Sequence, residues 1–127
     1  MDSSLKSQTN DIEQKTTIEL SNIKRKLNSE LINKILEKIF SKKRTYNAIY
    51  TLRKENCIKN SGVCYINFIN SIYILDLIKN LNEFRGKNKN KEINIRFAQN
   101  QGNEFIELVS EKRKNNINLD FIVFSDC

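Results

Sequence analysis

The chain contains no histidine, no proline and no tryptophan, and only three glycines and three cysteines. Without histidine there is no imidazole for acid/base chemistry and no histidine-containing zinc site. The cysteines, Cys57, Cys64 and Cys127, form no C-x-x-C pair. They leave one thiol over in any bridging scheme, so reduced thiols and no metal are expected. Three glycines, Gly62, Gly86 and Gly102, are too scattered to build a loop that cradles phosphate. No proline punctuates the chain into domains. No run of eighteen apolar residues is present, so no helix is expected to span a membrane. The first residues, MDSSLKSQTNDIEQK, lack the apolar stretch of a secretory signal. A place in the nucleus and/or cytoplasm is therefore expected.

What is present fits one domain. The chain has 127 residues, 39% of them hydrophobic and 29% charged, enough for one core with short appendages. Its net charge of +7 favours a polyanionic partner, because bound cations release counterions from phosphates.

Residues 1–14 carry no apolar periodicity and read as a disordered tail, leaving a domain over 15–127. TTIELSNI alternates from Thr16 to Ile23 as a strand does, with Ile18 and Leu20 on one face and Glu19 on the other. Asn28 or Ser29 can cap a helix to about Ser41, whose stripe is Leu31, Ile32, Ile35, Leu36, Ile39 and Phe40. A second strand follows over Tyr46–Lys54, and a buried third over Val63–Phe68. The next helix would place Ile74, Leu77, Ile78, Leu81 and Phe84 inward, closed by a left-handed Gly86. A fourth strand covers Glu92–Ala98 with Ile93, Ile95 and Phe97 inside. A C-terminal helix at about 103–115 carries Phe105, Ile106, Leu108 and Val109, and LDFIVFSDC can extend. The order β-α-β-β-α-β predicts an α+β, ferredoxin-like sandwich: a four-stranded antiparallel sheet with two helices on one face and the other face open.

SGVCYINF (Ser61–Phe68) resembles the longer signature strand of the RNA recognition motif, and IELSNI (Ile18–Ile23) its shorter one. LIKNLNEFRGK and INIRFA are similar to that family's second helix and last strand. The nearer resemblance is to the C-terminal recognition motif of the Mei-two-like meiotic regulators. TTIELSNI, YNAIY, GVCYINF, FAQNQG, NEFIELVSEK and FIVFSD follow that subfamily's order over residues 16 to about 126. The chain departs from it in several places. Lys24 stands where the subfamily has proline, its tryptophan near the end of the second helix is missing, and the loop before strand four is shorter. Val63 and Glu19 replace aromatics common at two signature positions of the wider family.

The resemblance implies single-stranded RNA bound on the open sheet face, bases stacked on aromatic rings, and no enzymatic activity or cofactor. Period-two alternation points Val63, Tyr65 and Asn67 outward, making Tyr65 the first stacking platform. Tyr50 is expected beside it. Arg96 would stack on a base or meet phosphate, while Asn94 and Gln99 would read base edges. Lys24 and Lys26, with Arg25, form a basic loop suited to the backbone, and Lys42-Lys43-Arg44 and Lys87/Lys89/Lys91 are further basic segments. Glu19 opposes this, since a carboxylate on the sheet face repels phosphate. Hence a second expectation: a protein-interaction module that keeps the fold but has a degenerate RNA face. The C-terminal helix is amphipathic enough to pack across that face and mask Tyr65. A monomer is expected, with regulatory protein partners as further candidates.

Overall fold

The alternation read in TTIELSNI becomes strand β1 (Thr17–Ser21), with Ile18 and Leu20 fully buried. The computed structural model describes residues 15–53, 60–86, 92–116 and 119–124. The tail over 1–14, the Lys87/Lys89/Lys91 loop, Cys57 and Cys127 lie outside the described residues. After β1 come helix α1 (Ser29–Ile39), strands β2 (Tyr46–Arg53) and β3 (Asn60–Phe68), helix α2 (Tyr73–Ile78) and a 3-10 turn (Leu81–Phe84). Strand β4 (Asn94–Phe97), helix α3 (Gly102–Asn115) and strand β5 (Phe121–Val123) complete the described order.

The sheet order is β4-β1-β3-β2-β5, with every neighbouring pair antiparallel. Four strands were expected, and the sheet has five among the described residues. The additional one, β5, lies along β2 with Phe121 opposite Tyr50 and Val123 opposite Ala48. It covers backbone groups that β2 would otherwise present as an open edge.

The principal core lies between the sheet and α1 and α2. Ile18, Leu20, Ile49, Cys64, Ile66 and Phe68 meet Ile32, Leu36, Ile74, Leu77 and Phe84 there. Asn28 caps α1, its side chain accepting from the Leu31 N–H at 2.8 Å. A second acceptor comes from the far end of the chain. The Asp120 carboxylate takes the Ser29 N–H at 3.0 Å, and the Ser29 hydroxyl donates to the Asp120 carbonyl. Residues 91 apart in sequence are thereby joined at a helix N-terminus.

Two local irregularities shape the sheet. In β2, Tyr46 pairs with Phe68 and Ala48 with Asn67, leaving Asn47 as a bulge. Tyr46 and Ile49 therefore both face the core, although three positions apart. Between Leu52–Val63 and Arg53–Asn60 the register shifts again, and Gly62 there has φ +92, a conformation that favours glycine.

The second helix is shorter than expected. It ends near Ile78 because the Asn80 side chain donates to the Asp76 carbonyl at 2.7 Å and competes with the next helical turn. The chain continues as the 3-10 turn and leaves through an extended Arg85. Gly86 accordingly has no left-handed conformation to adopt; only Gly62 and Gly102 are the glycines with positive φ. Ile78, expected inside, is 44% exposed. Phe97, also expected inside, sits on the edge strand and is 43% exposed.

Candidate nucleic-acid interface

The sheet face opposite α1 and α2 presents Ala48 and Tyr50 from β2, Tyr65 from β3 and Glu19 from β1. It is not open. Helix α3 crosses its β2–β3 side, and Phe105 and Val109 join Ala48, Tyr50 and Phe121 in a second apolar cluster. Tyr65 and Tyr50, cross-strand partners, stack at 5.8 Å with 16° between their rings. Phe105 lies 5.8 Å from Tyr65, and Phe121 meets Tyr50 edge-on at 6.3 Å.

A polar knot holds the start of α3 to β1. Gln101 Oε1 accepts from the Thr16 and Thr17 N–H groups at 2.9 and 2.8 Å. Its Nε2 donates to the Thr17 and Ala98 carbonyls at 2.8 and 2.7 Å. The side chain thus extends the pairing of β1 beyond β4. The Gly102 N–H donates to the Thr17 hydroxyl, which donates in turn to Asn67 Oδ1. Asn67 reaches Asn47 with its other end. The TT and QG of the sequence motifs are therefore physically bonded to one another, and that contact aims α3 across the sheet.

What α3 leaves uncovered is a groove of about 520 Å³ between itself and the β1–β4 side of the sheet. Its polar lining includes Glu19, Tyr65, Arg96, Gln99 and Lys112, and its apolar lining includes Phe97 and Leu108. The size falls in the usual range of ~300–1,000 Å³ for small-ligand clefts. Glu19 lies at the centre of the polar set. Arg96 Nε donates to its Oε1 at 2.8 Å and Arg96 Nη2 to its Oε2 at 3.2 Å. The Tyr65 hydroxyl donates to the same Oε2 at 2.9 Å. Burial, and then the Glu19 carboxylate beside it, push the Tyr65 phenol up to about 12. The same carboxylate raises Arg96, so the guanidinium stays charged. The negative charge that opposed RNA binding in the sequence is thus matched by a cation from the adjacent strand.

The expected site residues separate into three groups. Tyr65, Arg96 and Gln99 converge on the groove. Tyr50 lines the same groove and is the neighbour that was expected for Tyr65, but at 6% exposure it is sealed by α3 and β5 and supports Tyr65 from behind. Val63 and Asn94 lie across from Ser21, at the far end of β1, and do not line the groove. Lys24 and Lys26 are exposed in the loop beyond that end, where the Lys24 N–H bonds the Phe84 carbonyl. Of the other basic loops, Arg44 is stacked 3.7 Å over the Phe124 ring and Lys43 lies 5.6 Å over Tyr73.

Sequence reasoning did not single out Phe97, Asn100, Leu108 or Lys112 as site residues, although all four line the groove. Leu108 and Lys112 are one helical turn apart, a spacing that marks one face of α3. Nothing in the alternation of β4 marks Phe97, whose exposure follows from its edge position. Among the described residues no group of acidic, cysteine or histidine side chains is placed to hold a metal ion. No helix there is long and apolar enough to cross a membrane.

No family model matches the chain, and no curated protein sequence matches it. Solved structures do resemble it. The RNA recognition motif of Rna15, determined with bound RNA (GU), aligns with a TM-score of 0.53 and 12% identity, over 76% of this chain and 96% of that one. A chain of the Snu17p–Pml1p structure, an intermediate during RES complex assembly, aligns with a TM-score of 0.52 and 19% identity, over 85% of this chain and 90% of that one. At such identities the likeness concerns architecture. This chain has the fold of the RNA recognition motif, elaborated by a fifth strand and by a helix laid on the sheet face.

Proposed function

We propose that this protein binds single-stranded RNA in the groove between α3 and the β1–β4 side of its sheet, and that it acts as a regulatory RNA-binding protein of the Mei-two-like type in the nucleus and/or cytoplasm. The observation that carries the reading is the convergence of an aromatic ring, Tyr65, with Arg96, Gln99 and Lys112 around one groove on the sheet face. A base offers a π face to the first and polar edges and phosphates to the others. The RNA bound to the Rna15 recognition motif supports the reading by analogy of fold. With Tyr50 sealed and Tyr65 half-buried, fewer bases find a platform than on a fully open sheet. Affinity is expected at about the micromolar level or weaker, and strongly salt-dependent.

A second reading, a protein-interaction module, draws on a different surface. Ile69, Ile72, Leu75 and Ile78 are 53%, 61%, 63% and 44% exposed and recur every third residue along α2 and its approach. Ultraviolet crosslinking to a mixed-sequence single-stranded RNA separates the two. Under the first reading, Tyr65→Leu and Lys112→Glu each lose most of the crosslink while circular dichroism stays native. Retention of the full crosslink by both variants would refute the groove as the RNA site and point to the basic loops, whereas no crosslink from the native chain would refute the RNA reading and favour the second.

A further inference from the structure

The RNA-binding reading leaves open which base the groove accepts, and the geometry around Glu19 bears on that choice. The Glu19 side chain is 13% exposed and that of Arg96 is 74% exposed, so the carboxylate belongs to the groove floor and the guanidinium to its rim. Arg96 addresses the carboxylate side-on, with one N–H on each oxygen. Tyr65 holds Oε2 independently from the sheet. If Arg96 swings out, the carboxylate keeps its tether and offers both oxygens to a pair of parallel donors.

Among the four RNA bases, guanine alone carries two adjacent donors on its Watson–Crick edge, N1–H and N2–H. They form the same two-donor fork as the Nε–H and Nη2–H of Arg96. Adenine and cytosine place a donor beside an acceptor, and uracil places its single donor between two carbonyls. Against a carboxylate each of those arrangements sets lone pair against lone pair, which penalises the wrong base as well as favouring the right one. A carboxylate has about four acceptor positions. Tyr65 occupies one, and guanine would take the two that Arg96 now fills. The Leu108 side chain, 42% exposed, gives the groove apolar surface for the base faces beside Tyr65. Arg96, once released, and Lys112 at the same groove supply cations for the adjoining phosphates.

We propose that the groove is a guanine-selecting pocket in which Glu19 reads the N1–H/N2–H edge and Arg96 is the internal stand-in that guanine displaces. The proposal rests on the RNA-binding reading and adds a base to it. Its test is fluorescence anisotropy of the full chain with hexauridylates carrying a single G, A, C or inosine at the third position. The guanine oligomer is expected to bind about tenfold or more tightly than the A, C and all-U oligomers, as a two-bond edge contact implies. Inosine, which keeps N1–H and lacks the 2-amino group, is expected to fall between. Glu19→Gln, which has one acceptor and one donor group in the same shape, is expected to erase the preference. Arg96→Gln, which removes the competitor for the Glu19 carboxylate together with a cation, is expected to weaken the A, C and all-U oligomers most and so to widen the guanine preference. Equal binding of G and inosine by the native chain would overturn the proposal even if Glu19→Gln fails to fold. So would a preference that survives Glu19→Gln. In either case binding itself leaves the RNA reading standing, whereas no binding of any oligomer removes both.

Discussion

Replacing Gln101 with alanine isolates the contact that orients α3. The side chain makes four hydrogen bonds, two accepted from the Thr16 and Thr17 N–H groups and two donated to the Thr17 and Ala98 carbonyls. These losses are unequal. Thr17 is fully buried, so its N–H is stranded without water. Its carbonyl keeps the Ala98 N–H at 2.9 Å. Thr16 is half-buried and its N–H can be rehydrated. A stranded buried donor costs about 1–3 kcal/mol, and the remaining bonds add roughly 1 kcal/mol together. The sum, about 2–4 kcal/mol, is a large share of the ~5–15 kcal/mol typical of a domain. In urea unfolding followed by circular dichroism, the midpoint should drop by about 1–2 M with an unchanged slope. Gln99→Ala, two residues away and exposed, should stay within about 0.5 kcal/mol of the native chain. A Gln101→Ala variant as stable as Gln99→Ala would refute the role assigned to the knot.

Phe105→Ala should cost about 3–5 kcal/mol, as for a large buried ring, and should raise the accessibility of Tyr65 to nitration. An Asp120→Ala substitution removes an acceptor from the first turn of α1 and should lower stability by about 1–2 kcal/mol, read as a fall in melting temperature. Tyr46, Tyr50 and Tyr65 all have phenols raised above the usual 10.0, mainly by burial. The unfolded chain therefore gives up these protons first. The stability they contribute is intact below pH 10 and is lost as pH climbs through their folded values, which for Tyr65 reaches about 12. An alkaline titration by phenolate absorbance should show this late ionisation coinciding with loss of the native dichroism. Cys64 is fully buried and its thiol is pushed up by burial, so thiol reagents should label it only under unfolding conditions.

Much of this architecture is legible in the residues. Strict alternation in Ile18–Leu20 and Cys64–Phe68 places the correct side chains against the helices, because a sheet with one buried face leaves no freedom of register. The cap at Asn28 and the stripe of α1 are equally local. Other features are hidden because their cause lies outside the local pattern. The parity of β2 is broken by one unpaired residue, Asn47, which only the partner strand reveals. Strand β5 is three residues long and owes its existence to β2 and to Ser29, more than ninety positions upstream in the latter case. At the site, the outward pointing of Tyr65 and Arg96 follows from alternation, whereas Gln99 lies in the bend beyond β4, where alternation no longer applies. That Tyr50 is sealed does not follow from alternation either, since amphipathicity says that α3 docks somewhere without saying where. Glu19 looks in the sequence like an isolated negative charge; the adjacent strand turns it into half of a paired group.

The link between Asp120 and Ser29 also bears on how the chain folds. A contact spanning 91 residues closes a loop whose entropic cost grows with the logarithm of its length, so it forms profitably only after the intervening strands have paired. The β1–β3 and β2–β3 pairings are nearer in sequence and can precede it. Substitutions at Asp120 or Phe121 are therefore expected to speed unfolding while scarcely slowing folding. In kinetic terms, the C-terminal clasp sets how long the finished groove lasts rather than how quickly it is made.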